Sequence, residues 1–82
     1  MRLYEAIAIR IKEICTRDGI TINALANKCG LPSSDIKNIL YGKSTNPGVR
    51  IILNICNAVD MSLAEFFNAE VFKDYQHFED LL

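Results

Sequence analysis

The sequence predicts an all-α domain, on three observations. Half of the residues are apolar, and Leu, Ile and Ala together outnumber Val, Thr and the aromatic residues. Apolar residues recur at spacings of three and four, which is the period of a helix with one buried face. Gly and Pro are few, so helices are interrupted at only a small number of places. A chain of 82 residues allows one small domain with a modest core.

A first helix is predicted over residues 3–17. Ile7, Ile11 and Ile14 form an apolar stripe, and Leu3 lies beside it. Asp18 and Gly19 follow the helix, and both tolerate the left-handed backbone conformation in which many helices end. Four charged residues are left for solvent or for phosphate: Arg10, Lys12, Glu13 and Arg17.

Residues 21–43 predict two short helices joined by a tight turn. Thr21 is expected to cap the first of them, because its hydroxyl can accept a hydrogen bond from a free amide of the first turn. Gly30 lies where the chain must turn sharply, and Gly42 is expected to end the second helix. Two helices joined in this way form a helix-turn-helix, whose second helix commonly enters the major groove of DNA.

The outward side of that second helix carries Ser33, Ser34, Lys37 and Asn38. Hydroxyl, ammonium and amide groups of this size suit the edges of bases, where Lys donates to guanine and Asn pairs with adenine. The alternative explanation is an ordinary exposed helix face, which is polar in most proteins. Within the complete helix-turn-helix pattern, contact with DNA is the favoured interpretation.

The chain after this motif predicts two more helices. Asn46 is expected to cap a fourth helix over residues 49–59, with Pro47 in its first turn. Ser62 and Glu65 form a capping box at the start of a fifth helix. The residues expected to face the core are Ile52, Leu53, Ile55, Cys56, Val59, Leu63, Phe66 and Phe67.

Three stretches carry a resemblance to a known family. They are IRIKEICTRDGIT, TINALANKCGLPSSDIKNILYGK and KSTNPGVRIILNICNAVDMSLAEFF. Over about residues 4–67 the chain resembles the lambda-repressor-like (Xre/Cro-type) helix-turn-helix DNA-binding domain. The resemblance implies a five-helix domain that reads the major groove of double-stranded DNA with residues 33–40.

The resemblance also implies roles for individual residues. Base-edge contacts are expected from Ser33, Ser34, Lys37 and Asn38. Phosphate contacts are expected from Arg17, Asn23, Lys43, Ser44 and Thr45. The chain departs from the family at Ile22, where the family usually has Gln, because isoleucine cannot donate a hydrogen bond. Family members commonly bind palindromic operators as homodimers, with half-sites about one turn (~34 Å) apart.

Residues 1–68 are predicted to form the DNA-binding domain, and residues 69–82 a helical tail. Val71, Tyr75, Phe78 and Leu82 recur at helical spacings and indicate a sixth helix. Its apolar stripe either packs on its own domain or forms a dimer contact.

Charge is distributed unevenly along the chain. Residues 1–50 hold eight Lys or Arg against four acids, a net charge of +4, whereas residues 51–82 hold one Lys against six acids, a net charge of −5. Such a division indicates one surface for an anion and another for a different purpose. The alternative is two ordinary solvated surfaces.

The composition argues against several classes of function. No catalytic set, metal-ligand spacing or phosphate-binding glycine loop occurs, so we expect no enzyme, no metal and no cofactor. No apolar run approaches the length of a membrane span, and no signal peptide is recognisable, so no membrane partner is expected. Cys15, Cys29 and Cys56 lie among apolar neighbours and form no CxxC pair. They predict buried thiols in a reducing compartment, and hence a cytoplasmic protein.

Two functions from different classes are compatible with the sequence. The first is sequence-specific binding of double-stranded DNA as a transcriptional regulator, in particular a repressor. The second is a protein-interaction module, antitoxin-like or anti-repressor, on the same scaffold. Ile22, the net acidity and the apolar tail favour the second.

Overall fold

The computed structural model describes residues 2–73. Its helices are α1 (Leu3–Asp18), α2 (Ile22–Cys29), α3 (Ser33–Leu40), α4 (Val49–Ala58), α5 (Leu63–Phe67) and α6 (Glu70–Lys73). The described residues include no strand, so the all-α prediction with a sixth helix is confirmed. Of the predicted tail stripe, Tyr75, Phe78 and Leu82 lie outside the described residues. No described helix is long and apolar enough to cross a bilayer.

The core lies where α1, α2, α3 and α4 meet, and α5 closes it against α4. Ile7, Ile11 and Ile14 of the predicted stripe are all buried. Around them lie the other large enclosed side chains: Leu25, Ile36, Ile39, Ile55, Cys56 and Phe66. Because α1 contacts α2, α3 and α6, it supports both helices of the helix-turn-helix.

Four of the described helices end in the same backbone turn, with one residue in the left-handed conformation. These residues are Gly19, Gly30, Gly42 and Asp60. In each case the next amide donates to the carbonyl five residues earlier, as in the Schellman motif: Ile20 to Cys15 (3.0 Å), Leu31 to Ala26 (3.1 Å), Lys43 to Asn38 (2.8 Å) and Met61 to Cys56 (2.9 Å). Three of the four donor residues are apolar and half-buried or buried. The fourth, Lys43, is exposed.

Three apolar residues that the sequence places toward the core are exposed in the structure. The exposed fractions are 37% for Leu3, 42% for Leu53 and 41% for Phe67. Each residue step turns a helix by about 100°, so a residue beside the stripe can already leave the buried face. The predictions for these three residues were wrong, because an apolar pattern does not fix how wide a face the neighbouring helices cover.

The start of α4 also differs from the prediction. The residue before its first turn is Gly48, and no side chain caps the helix there. Asn46 is therefore not the cap, and Pro47 lies outside the helix. Proline pushes the residue before it toward extended backbone, which keeps this segment out of the helix. The ends of α1 and α4 differ from their predicted positions by one residue, the ordinary uncertainty at helix termini.

Arg10 is half-buried and holds α5 against α1, although the sequence left it for solvent or phosphate. Its Nε donates to the carbonyl of Phe66 at 2.7 Å, and its Nη2 donates to the carbonyl of Glu65 at 2.9 Å. These carbonyls belong to the last turn of a five-residue helix, where they have no partner within the helix. At the other end of α5 the predicted capping box is confirmed, with Ser62 and Glu65 exchanging hydrogen bonds of 3.0 and 3.1 Å.

Candidate nucleic-acid interface

The start of α2 presents a capped helix end. Thr21 Oγ1 accepts a hydrogen bond from the amide of Ala24 at 3.0 Å, as predicted. Ile22, at the next position, is half-buried and packs against the core. Asn23 comes after it and is exposed. The position at which the family usually has Gln therefore contributes to packing, and Asn23 is the polar side chain available at this helix start.

The orientation of α3 is fixed by its two fully enclosed residues, Ile36 and Ile39. Ser34 and Asn38 are exposed, and Ser33 and Lys37 are half-buried. All four predicted base-edge residues therefore keep access to solvent, which is the condition for a helix that enters a groove.

The loop after α3 is tied to the last turn of that helix. The amides of Lys43 and Ser44 both donate to the carbonyl of Asn38, at 2.8 and 2.9 Å. Gly42 makes this possible with a φ of 75°. The beginning of the loop therefore moves with α3 as one unit, and the backbone of Lys43 and Ser44 keeps a fixed position relative to the helix.

Lys43 departs from the other three helix ends that share its backbone turn. At those ends the residue after the left-handed position is apolar and returns the chain to the core, which is the usual accompaniment of this motif. Lys43 instead directs an ammonium group into solvent at the end of α3. The backbone geometry alone would admit an apolar side chain here, and a cation at this position also suits the negative end of the α3 dipole.

Eight of the nine predicted contact residues have no side-chain hydrogen bond or ion pair within residues 2–73: Ser33, Ser34, Lys37, Asn38, Asn23, Lys43, Ser44 and Thr45. These polar groups are available to a ligand without breaking an existing contact. α2 and α3 pack directly on one another, so the structure brings together the helices that carry five of them.

Arg17 is the exception among the predicted contacts. Its guanidinium donates to both carboxylate oxygens of Asp18, at 2.7 and 3.2 Å. This hydrogen bonding holds the pKa of Asp18 below its usual value, and Arg17 also interacts with Glu65. Arg17 therefore lies at the α1–α5 side of the molecule, and its charge is partly neutralised there.

Tyr41 was not among the predicted contacts, although its side chain is 71% exposed. It lies four residues after Lys37 and three after Asn38, so it continues their face of α3 by one turn. Its amide donates to the carbonyl of Lys37 at 2.9 Å, which fixes its backbone to the helix. The helical spacing from Lys37 was the signal that would have identified it.

The described residues show no cluster of three His, Cys, Asp or Glu that would hold a metal ion. Cys15 and Cys56 are buried and Cys29 is half-buried. Burial raises the pKa of all three thiols, so they are protonated at neutral pH. The thiols therefore behave as small apolar groups of the core.

Comparison with protein families matches residues 10–71 to the model of the Cro/C1-type helix-turn-helix DNA-binding domain. The match spans α2, α3, α4 and α5 and includes all nine predicted contact residues. No curated protein and no solved structure matches the chain significantly.

Proposed function

Since the chain belongs to the Cro/C1-type helix-turn-helix DNA-binding family, we propose that it is a sequence-specific regulator of transcription that acts as a repressor. The observation that carries the proposal is the outward face of α3 with its attached loop, where polar side chains lie without partners within residues 2–73. A surface built in this way loses no internal hydrogen bond when it meets DNA.

In the proposed complex, α3 enters the major groove. Lys37 donates to the N7 and O6 acceptors of guanine, and Asn38 forms paired hydrogen bonds with adenine. Ser33 and Ser34 contact base edges near the start of the helix, where the positive end of the helix dipole also favours the DNA backbone. Each good bidentate contact of this kind discriminates against a wrong base by about 1–3 kcal/mol.

Phosphate contacts position the helix. Lys43, Ser44 and Thr45 would contact one backbone from the loop, and Asn23 would contact a phosphate at the start of α2. Arg17 would have to exchange its bonds with Asp18 for a phosphate, so we assign it the smallest part of the binding energy. Tyr41 joins the proposed interface on its exposure and its place on α3.

The proposal includes a homodimer on a palindromic operator, with the two copies of α3 about one helical turn (~34 Å) apart. Repression would result from occlusion of a promoter. Residues 1–68 would form the DNA-binding unit and residues 69–82 a C-terminal tail that packs on the domain or forms a dimer contact. The protein would be cytoplasmic, because its buried and half-buried thiols suit a reducing compartment.

The test is selection from a pool of random duplexes at two salt concentrations. Wild type is compared with Lys37→Ala/Asn38→Ala and with the matched control Asn57→Ala/Lys73→Ala, which removes the same groups from exposed positions on α4 and α6. We expect an enriched palindrome with wild type and the control, and its loss in the α3 variant. Equal loss in both variants would refute the assignment of α3.

Salt dependence separates base reading from simple attraction. Binding that weakens with salt and enriches no sequence would reduce the function to non-specific electrostatic association. A single Lys43→Ala variant should keep the preferred sequence while lowering the salt slope by about one charge. A changed sequence preference in that variant would contradict the phosphate role.

A protein-interaction module is the second candidate, because α4 exposes two apolar residues one turn apart. Val49 is 68% exposed and Leu53 is 42% exposed. Such a pair suits a protein partner better than a phosphate backbone. If the chain binds DNA at neither of the two salt concentrations, this candidate would be favoured over the first.

A further inference from the structure

The outward side of α4 carries an apolar pair that the rest of residues 2–73 leaves largely in solvent. Val49 is 68% exposed, and Leu53, one turn later, is 42% exposed. Each would gain free energy by moving from water into an apolar contact, in proportion to the area that the contact covers. Two such side chains in line on one helix therefore mark a candidate contact surface.

A cavity of about 280 Å³ opens at the far end of α4. Asn57, one turn beyond the apolar pair, forms part of its wall. Asp60 and Glu65 also line the cavity, and its other lining residues are uncharged. Glu65 is already engaged, because it accepts from the amide of Ser62 at 3.1 Å and interacts with Arg17. Asp60 has no hydrogen bond or ion pair within residues 2–73, so the cavity offers its carboxylate to a cation.

Arg50 lies at the opposite end of the same helix. It is exposed in the first turn, and it too has no hydrogen bond or ion pair within residues 2–73. Ten residues of helix separate it from Asp60 by about 15 Å, which is too far for a pair within one chain. A helix dipole is positive at its start and negative at its end, so each of the two charges lies at the unfavourable end of its own helix. Both would be better placed beside a helix that runs the other way.

We propose that this side of α4, from Arg50 through Val49 and Leu53 to Asp60, is the contact surface for a second copy of the chain. The two α4 helices run in opposite directions across a two-fold axis, and the two copies of Leu53 pack near the axis. Arg50 of each copy enters the cavity of the other and pairs with Asp60 there. Each charge then lies at the favourable end of the facing helix.

A second copy is favoured over an unrelated protein because the surface carries both halves of the match. A two-fold dimer places each residue of a surface opposite another residue of the same surface. The cation at one end of α4 and the carboxylate at the other therefore meet twice, with the apolar pairs between them. The inference rests on the proposed function, which includes a homodimer, and it gives that dimer its contact surface. Asn57 carries no charge, and the pairing does not depend on it.

The test exchanges the two charges in separate full-length chains. Arg50→Glu and Asp60→Lys are each measured alone and as an equimolar mixture, by sedimentation equilibrium without DNA. Concentrations extend to about 1 mM, because a small contact surface gives a weak dimer. Each variant alone opposes like charges twice across the axis, so we expect its dimer Kd to rise about tenfold. In the mixture both pairs again have opposite charges, and we expect the affinity of wild type to return.

Matched controls make the same charge changes elsewhere on the surface. Lys28→Glu and Glu70→Lys lie at exposed positions on α2 and α6, and they should dimerise as wild type does, alone and mixed. Melting curves verify that each variant is folded. If Asp60→Lys does not fold, Asp60→Asn replaces it, because Asn tolerates the left-handed backbone, and this variant should also weaken the dimer.

Recovery of affinity in the mixture supports the proposal. It would be overturned by a wild type that is monomeric at every concentration, by a dimer whose Kd is the same in wild type and in the charge variants on α4, or by a loss between folded variants that mixing does not reverse. None of these results decides the proposed function, because selection from the duplex pool measures DNA binding separately. A charge-dependent dimer that enriches no DNA sequence would refute the proposed function and leave this contact surface standing.

Discussion

Replacing Gly42 by alanine tests whether the turn at the end of α3 positions a DNA contact. Gly42 has a φ of +75°, and a Cβ added there would lie 3.5 Å from Cε2 of Tyr4, which is an ordinary contact. The cost is therefore that of the left-handed backbone, about 1–2 kcal/mol for an L-residue. In a domain of this size each kcal/mol lowers the melting temperature by roughly 4–8 °C.

Gly19 supplies the matched control. It has a φ of +63°, an added Cβ there would meet nothing within 4 Å, and it ends α1 in the same turn. Gly19→Ala should therefore lose about as much stability as Gly42→Ala, again about 1–2 kcal/mol. The residue after the turn differs between the two sites, because it is Ile20 at the end of α1 and Lys43 at the end of α3.

Affinity for DNA should separate the two variants. Gly42→Ala disturbs the hydrogen bonds from the amides of Lys43 and Ser44 to the carbonyl of Asn38, and so displaces the loop that carries the proposed phosphate contacts. The loss of one phosphate contact is worth about 1–1.5 kcal/mol, or roughly fivefold to tenfold in Kd. Gly19→Ala should leave Kd unchanged. Stability is measured by urea denaturation, and binding to the selected duplex at a temperature where both variants are folded. Equal affinity loss in both would show that binding depends on stability and not on the loop, and unchanged stability in both would refute the backbone argument.

Three further predictions concern stability and reactivity. Asp60→Gly should raise the free energy of unfolding by about 0.5–1 kcal/mol, because Asp60 has a φ of 56°; a lower urea midpoint would contradict this. Arg10→Met should lower the free energy of unfolding by about 1–3 kcal/mol, since the carbonyl of Phe66 loses its donor. A melting temperature equal to that of wild type would show that water replaces the guanidinium. Burial raises the pKa of both Cys56 and Cys29, so the alkylation of these thiols at pH 7 should be slow in the native state and should accelerate as the pH rises. The reagent should reach the half-buried Cys29 before the enclosed Cys56. Mass spectrometry of the labelled peptides gives the order, and the reverse order would contradict the burial of Cys56.

Much of the candidate interface was predictable because it depends on short stretches of chain. The outward residues of α3 are set by the positions of Ile36 and Ile39 within the same eight-residue helix. Tyr41 was missed because an aromatic residue next to Ile39 and Leu40 resembles core, although its helical spacing from Lys37 places it on the outward face. The DNA contacts of these residues stay predictions until a complex is measured.

The sequence by itself determined the helices, most of their ends and the helix-turn-helix, because these features rest on hydrogen bonds between residues at most five apart. Thr21, Ser62 and the left-handed turns belong to this group. Tertiary structure alone decided which apolar residues are covered, as Leu53 shows, and where long side chains find their partners. Arg10 lies 56 residues from Phe66 in sequence and donates to its carbonyl only because α5 packs beside α1. Such a contact depends on how two helices meet in space, and no local pattern of residues encodes that.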